Sequence, residues 1–184
     1  MNEDILRLFL EEPTMHFRFK DIKEKVKISD HHISNWLKKL IEQKIIIKHK
    51  KYYKSNYEHY NYKNIKKIYA LNNLYKTGFL DSLCSLEAEL IIIFGSYSKS
   101  DWHKESDIDI FILGNHRNLD KNKYEKIFRK NIQIFGFETV NEIKSINQGL
   151  LENIMKGILV KGSLKILITQ WSTMLKKNIE LVKN

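Results

Sequence analysis

A single cysteine, Cys84, and a single proline, Pro13, stand in a chain of 184 residues that has only seven glycines. One cysteine excludes an intrachain disulfide framework and a thiolate metal cluster. No apolar run approaches the roughly 20 residues that a membrane span needs. The start, Met1-Asn2-Glu3-Asp4, is acidic where a secretory signal is basic. These absences predict a cytoplasmic protein with no membrane partner. At 42% hydrophobic and 29% charged residues, the composition suits a soluble globular chain long enough for one domain or two small ones. No internal repeat is evident, and the only bias is toward Lys, Asn and Ile.

Charge is plentiful and unevenly spread. Of the formal net charge of +10, residues 1–80 carry +8 and residues 81–184 carry +2. Such an excess suits a phosphate-backbone partner, although the Lys-rich composition could reflect the genome as much as a binding face.

Within the basic half, Ile5, Leu6, Leu8, Phe9 and Leu10 mark an amphipathic helix ended near Pro13. Phe17 and Phe19 suit a short extended link. Ile22 and Val26, four residues apart, suit a second helix over 20–26. Ser29 is a natural N-cap for a third helix over 30–43, with Ile33, Trp36, Leu37, Leu40 and Ile41 as its buried stripe. The face left outside carries His31, His32, Ser34, Asn35, Lys38 and Lys39. Two β-prone segments then flank a basic tip at Lys50 and Lys51. Three helices followed by a basic hairpin resemble a winged helix-turn-helix over 1–56. The resemblance implies double-stranded DNA as a partner. Ser34 and Asn35 would face base edges, His31 and His32 bases or phosphate, and the four lysines phosphate. Winged helices also serve as protein-binding modules. Residues 57–87 read as a helical connector broken around Thr77-Gly78, whose aromatic side chains suit a core or a homodimer contact.

The segment from Leu90 to Leu113 is the most informative. Leu90-Ile91-Ile92-Ile93-Phe94 reads as a buried strand, Gly95-Ser96 as a turn, and Ile108-Asp109-Ile110-Phe111-Ile112-Leu113 as a second strand. Residues i and i+2 of a strand share a face, so Asp107 and Asp109 would project together and could hold a hard cation such as Mg²⁺. Glycine permits backbone angles that turn amide groups toward an anion, and Ser96 adds a hydroxyl. Taken singly, Ser106-Asp107 could merely cap a turn and Asp109 could be an exposed strand residue. Together these residues resemble the Gly-Ser…Asp-x-Asp signature of the DNA polymerase beta-like nucleotidyltransferases, in particular the minimal, archaeal-type domains.

That resemblance implies an α+β fold, with a small mixed-sheet domain over 88–162 following the winged helix and connector. It also implies a nucleoside triphosphate, of which ATP is the expected one, bound at Gly95, Ser96 and Ser106. Mg²⁺ or Mn²⁺ would sit on Asp107 and Asp109, which are also the catalytic residues. The reaction implied is transfer of a nucleoside monophosphate to a hydroxyl acceptor, for which a protein hydroxyl is one candidate. The family adds a third carboxylate on an adjacent strand, where this chain has Gln133; Glu138 and Glu142 are the nearest substitutes in sequence. The rival reading is a DNA-binding regulator or antitoxin whose domain has lost its chemistry. A closing helix over 163–184 is expected from Leu164, Leu167, Ile168, Trp171, Leu175, Ile179 and Val182.

Overall fold

The computed structural model describes residues 3–169, 171 and 172. They divide into two compact units. One comprises the residues up to Ala70 with Ser100–Glu105, and the other comprises Leu71–Lys99 with the residues from Ser106 onward.

In the first unit, α1 (Glu3–Glu11) is followed by β1 (His16–Arg18), α2 (Phe19–Lys25), α3 (Asp30–Glu42), β2 (Ile46–His49) and β3 (Tyr52–Ser55). The three strands form an antiparallel sheet in the order β1-β3-β2. The expected extended link is therefore a paired strand centred on buried Phe17, and Phe19 already opens α2. Ser29 caps α3, its Oγ accepting from the His32 N–H at 3.4 Å. The spacing of α3 buries Ile33, Leu37 and Leu40, which join Ile5, Phe9, Leu10, Ile22 and Ile46 in the core; Trp36 and Ile41 lie at its edge. Two hydroxyls, Ser55 Oγ and Tyr62 Oη, both donate to the Phe9 carbonyl at 2.8 Å, so the buried end of α1 keeps its acceptor satisfied. Burial pushes the Tyr62 phenol up to about 12.

Helix α4 (Tyr60–Lys76) begins in this unit, and α5 (Phe79–Cys84) belongs to the second. Gly78 separates them at φ +71, where a side chain would be strained, which explains the break at Thr77-Gly78.

The second unit is built on a four-stranded mixed sheet in the order β6-β5-β4-β7. In chain order it runs β4 (Ala88–Phe94), α6 (Ser96–Lys99), β5 (Ile108–Gly114), α7 (Lys121–Phe128), β6 (Ile132–Phe137), α8 (Val140–Ile143), α9 (Gln148–Met155) and β7 (Ile158–Lys161). β4 is antiparallel to β5 and to β7, whereas β5 and β6 are parallel and joined through α7. Every residue from Leu90 to Phe94 is buried, so the apolar run reflects a central strand covered on both faces. On one face Leu90, Ile92, Phe94, Phe111 and Leu113 pack with Ile143, Leu151, Ile154 and Leu167. Of the closing helix, residues 165–169, 171 and 172 are helical. Leu175, Ile179 and Val182 lie outside the described residues. No helix among the described residues is long and apolar enough to cross a membrane.

Candidate functional site

β4 ends at Phe94, and the chain turns at Gly95 with φ +68 into the short helix α6. The Gly95 carbonyl accepts from Ser98 Oγ at 3.0 Å and from the Lys99 N–H at 3.3 Å, which fixes the turn. Antiparallel pairing sets Phe94 opposite Asp109, so the turn and the carboxylate meet at one end of the sheet. A Cβ at position 95 would overlap Asp109 Oδ2 and lie 3.0 Å from its Cγ. Only glycine leaves room for this carboxylate against the backbone.

Asp107 is exposed just before β5, and Asp109 is half-buried within it. Burial raises the Asp109 carboxyl above its ordinary range, the charge of Asp107 raises it further, and Lys99 works in the opposite direction. A half-buried carboxylate with a second one beside it suits a hard divalent cation, whose charge would offset the repulsion. Among the described residues no group of three or more His, Cys, Asp or Glu side chains is arranged to hold a metal ion.

Parallel pairing of β5 and β6 places Gln133 directly beside Asp109. The two sequence neighbours that might have replaced a carboxylate there do not. Glu138 follows the far end of β6, where Phe137 pairs with Leu113, and its carboxylate takes the Arg117 guanidinium at 2.6 Å. Glu142 accepts from the Glu138 N–H at 3.1 Å and from Thr139 Oγ1 at 3.0 Å, so it is engaged at the start of α8. Five residues of strand separate Glu138 from Gln133, roughly 16 Å at the usual rise.

Ser96 opens α6, and Ser106 lies in the segment entering β5, where its carbonyl accepts from Lys130 Nζ at 3.4 Å. No sequence pattern singles out Lys130, which reaches this segment from the turn after α7.

On α3, the side chains of His31, His32, Ser34, Asn35, Lys38 and Lys39 are all exposed. Asn35 Nδ2 and His31 Nε2 lie 2.9 Å apart, and His32 Nδ1 lies 2.7 Å from Ser29 Oγ. Lys39 Nζ sits 5.1 Å from the Trp36 ring centroid. Lys50 and Lys51 occupy the tip between β2 and β3, with Lys50 at φ +54.

No curated protein matches the chain. A solved structure of a toxin-antitoxin with AMP-PNP is similar to it at 21% identity and a TM-score of 0.39, over 60% of this chain and 87% of that chain. Residues 76–156, which include the Gly95 turn, the aspartate pair and Gln133, match the family model of the nucleotidyltransferase domain.

Proposed function

We propose that the protein transfers a nucleoside monophosphate from a nucleoside triphosphate to a hydroxyl acceptor in a divalent-metal-dependent reaction. The observation that supports this reading is the seating of the Asp109 carboxylate against the Gly95 turn, which brings a carboxylate and a glycine turn to one sheet end. Gly95, Ser96 and Ser106 would hold the donor, ATP being the expected one. Asp107 and Asp109 would hold Mg²⁺ or Mn²⁺. Such an ion supplies charge neutralisation and polarises the α-phosphoryl oxygen. The acceptor oxygen bonds to the α-phosphorus while the bond to the bridging oxygen breaks and pyrophosphate leaves with the electron pair. The hydroxyl proton passes to water, because the Gln133 amide cannot accept it.

We further propose that residues 1–56 form a winged helix that binds double-stranded DNA. The exposed polar face of α3 and the lysine tip of the β2–β3 hairpin support that reading. Gln133 beside Asp109 favours a second reading, in which the domain binds nucleotide without transferring it and the protein is a DNA-binding regulator or antitoxin. Incubation with α-labelled nucleoside triphosphates, Mg²⁺ and cell extract separates the two. Label transfer that disappears in Asp107→Asn/Asp109→Asn supports the enzyme; no transfer with any nucleotide or metal supports the regulator.

A further inference from the structure

Asp109 is placed by strand pairing and by the Gly95 turn, whereas Asp107 stands just outside β5 and is reached through the segment that follows α6. Most of that segment, Ser100–Glu105, belongs to the first unit although the residues on either side of it belong to the second. At its centre Trp102 is 3% exposed, while Asp101, His103, Lys104 and Glu105 around it are all exposed. One buried aromatic in an otherwise exposed stretch anchors that stretch.

The anchorage is one face of α4. Tyr62, Lys66 and Tyr69 recur at i, i+4 and i+7 and therefore stand in a row along the helix. The Trp102 ring stacks on Tyr69, with centroids 6.2 Å apart and planes 16° from parallel, and Lys66 Nζ lies 4.8 Å from the Trp102 centroid. Lys66 is buried as well, with its Nζ 5.4 Å from the Tyr62 ring centroid and 3.5 Å from Tyr62 Oη. Burying an ammonium is costly where an apolar side chain of similar length is not, so this cation favours one placement of Trp102, with a ring face turned toward it. A second tether follows two residues later, where the Lys104 N–H donates to the Glu11 carbonyl at 2.9 Å. At the entry to the segment Ser100 is buried at φ +62, a left-handed conformation that its surroundings hold in place.

Asp107 comes three residues after Lys104, at most about 11 Å of extended chain. On its other side the Ile108 N–H donates to the Asn131 carbonyl at 2.9 Å. The aspartate is thus strung between two fixed backbone points, one set by the sheet and one by the Trp102 segment. Glu11, Lys66 and Tyr69 all precede the residues 76–156 that match the nucleotidyltransferase model, so the likeness to that family does not account for them.

We infer that Trp102 is a positioning residue for Asp107, acting through the chain from Lys104 to Ser106, and that Lys66 fixes its ring. The cation that Asp107 would hold rests on the transferase reading above. A ligand on a loose chain loses conformational entropy when it binds, and an anchored one has lost it already.

The test uses the full chain and compares Trp102→Ala, Trp102→Phe, which keeps a ring for Tyr69 and Lys66, and Lys66→Met, which keeps the length and removes the charge. Amide exchange is first followed by NMR without metal. Trp102→Ala should speed exchange of the Lys104 and Ile108 amides by about tenfold or more while α9 keeps its protection, and Trp102→Phe should restore both amides. Lys66→Met should shift the same amides in the same direction, and it decides the matter if Trp102→Ala proves too unstable to study. Mn²⁺ is then titrated by calorimetry, with Asp107→Asn/Asp109→Asn as the blank. Its affinity should fall by about 10–100-fold in Trp102→Ala, the usual effect of losing a group that orients a metal ligand, and return in Trp102→Phe. In Trp36→Phe/Trp171→Phe, where Trp102 is the one tryptophan left, Mg²⁺ should change its emission, because coupling between two sites is reciprocal. Parental exchange in both Trp102→Ala and Lys66→Met overturns the assignment. Faster exchange with parental Mn²⁺ affinity overturns it too, since the segment would then be held without placing Asp107. If the parent binds no Mn²⁺ while exchange at Ile108 still depends on Trp102, the metal reading falls and the anchor stands.

Discussion

Gln133 stands in parallel register beside Asp109, one strand over, so a carboxylate at position 133 would be a third acid next to Asp107 and Asp109. An amide and a carboxylate have nearly the same shape, so the sheet itself accepts either. What differs is charge. With Gln133 the site holds two negative charges; with glutamate it would hold three and gain a proton acceptor next to the half-buried aspartate.

Gln133→Glu should therefore raise label transfer by at least about tenfold if a missing base limits the reaction, since positioned acid–base groups contribute roughly 10²–10⁴. The same substitution should lower the melting temperature in the absence of divalent metal and restore it in the presence of Mg²⁺. Transfer that stays undetectable in both proteins would point to the regulator.

Asp109 gives a prediction with a definite sign. Its folded-state carboxyl is raised by burial first and by Asp107 second. A raised carboxyl contributes stability that is fully present below the unfolded value, about 3.9, and is lost as pH rises through the folded value. At neutral pH the ionised side chain therefore weakens the fold. Asp109→Asn should melt about 1–3 °C higher than the parent at pH 7. That gap should open across the acid range and stay flat above it, while label transfer is abolished. Saturating Mg²⁺ should close the gap by stabilising only the parent, and differential scanning fluorimetry across pH reads both effects.

How much of this site was legible in the sequence depends on what each residue answers to. The strand, turn and aspartates could be read because apolar runs, glycine and the i, i+2 rule act locally. Asp109 against Gly95 follows from that local pattern once β4 and β5 pair. Glu138 and Glu142 were ambiguous because sequence proximity to Gln133 does not say which end of β6 they occupy; register places them at the far end, engaged with Arg117 and with the start of α8. The contacts of Lys130 with Ser106 and of Asn131 with Ile108 were illegible for the same reason, since each joins residues more than 20 apart in sequence that the parallel pairing brings together. Strand β1 reads in the sequence only as an extended link at Phe17 and Phe19, because three residues carry almost no periodicity, and its pairing with β3 supplies what the local sequence lacks.

Two glycines separate backbone strain from crowding. Gly78 and Gly95 have nearly equal φ, +71 and +68, yet a Cβ at Gly78 meets nothing within 4 Å while one at Gly95 overlaps Asp109. Gly78→Ala should cost about 1–2 kcal/mol, the left-handed penalty alone. Gly95→Ala should cost a further 1–3 kcal/mol, as overpacking usually does, and should displace the aspartate. Thermal melts give the difference in stability. Label transfer should survive Gly78→Ala and fail in Gly95→Ala; equal losses in the two would mean that the carboxylate does not depend on the turn.

The N-terminal unit can be tested through salt. Lys50 and Lys51 sit at the hairpin tip with both side chains exposed, and Lys50 adopts a left-handed backbone that a tight turn requires. If the hairpin binds DNA as proposed, lysines at its tip would contact phosphate and carry no sequence information, so each one engaged would contribute about 0.9 to the slope of log affinity against log salt on duplex DNA. Lys50→Ala/Lys51→Ala should reduce that slope by about 2 and weaken all duplexes alike. Asn35 on α3 should behave differently. Its amide can meet a base edge, and Asn35→Ala should leave the slope unchanged while cutting discrimination between duplex sequences by about 1–3 kcal/mol at one position. Fluorescence anisotropy on a set of duplexes, titrated at several salt concentrations, distinguishes these outcomes. Affinity that does not weaken as salt rises would exclude phosphate contacts by the hairpin and leave α3 and the β2–β3 hairpin as a candidate surface for a protein partner.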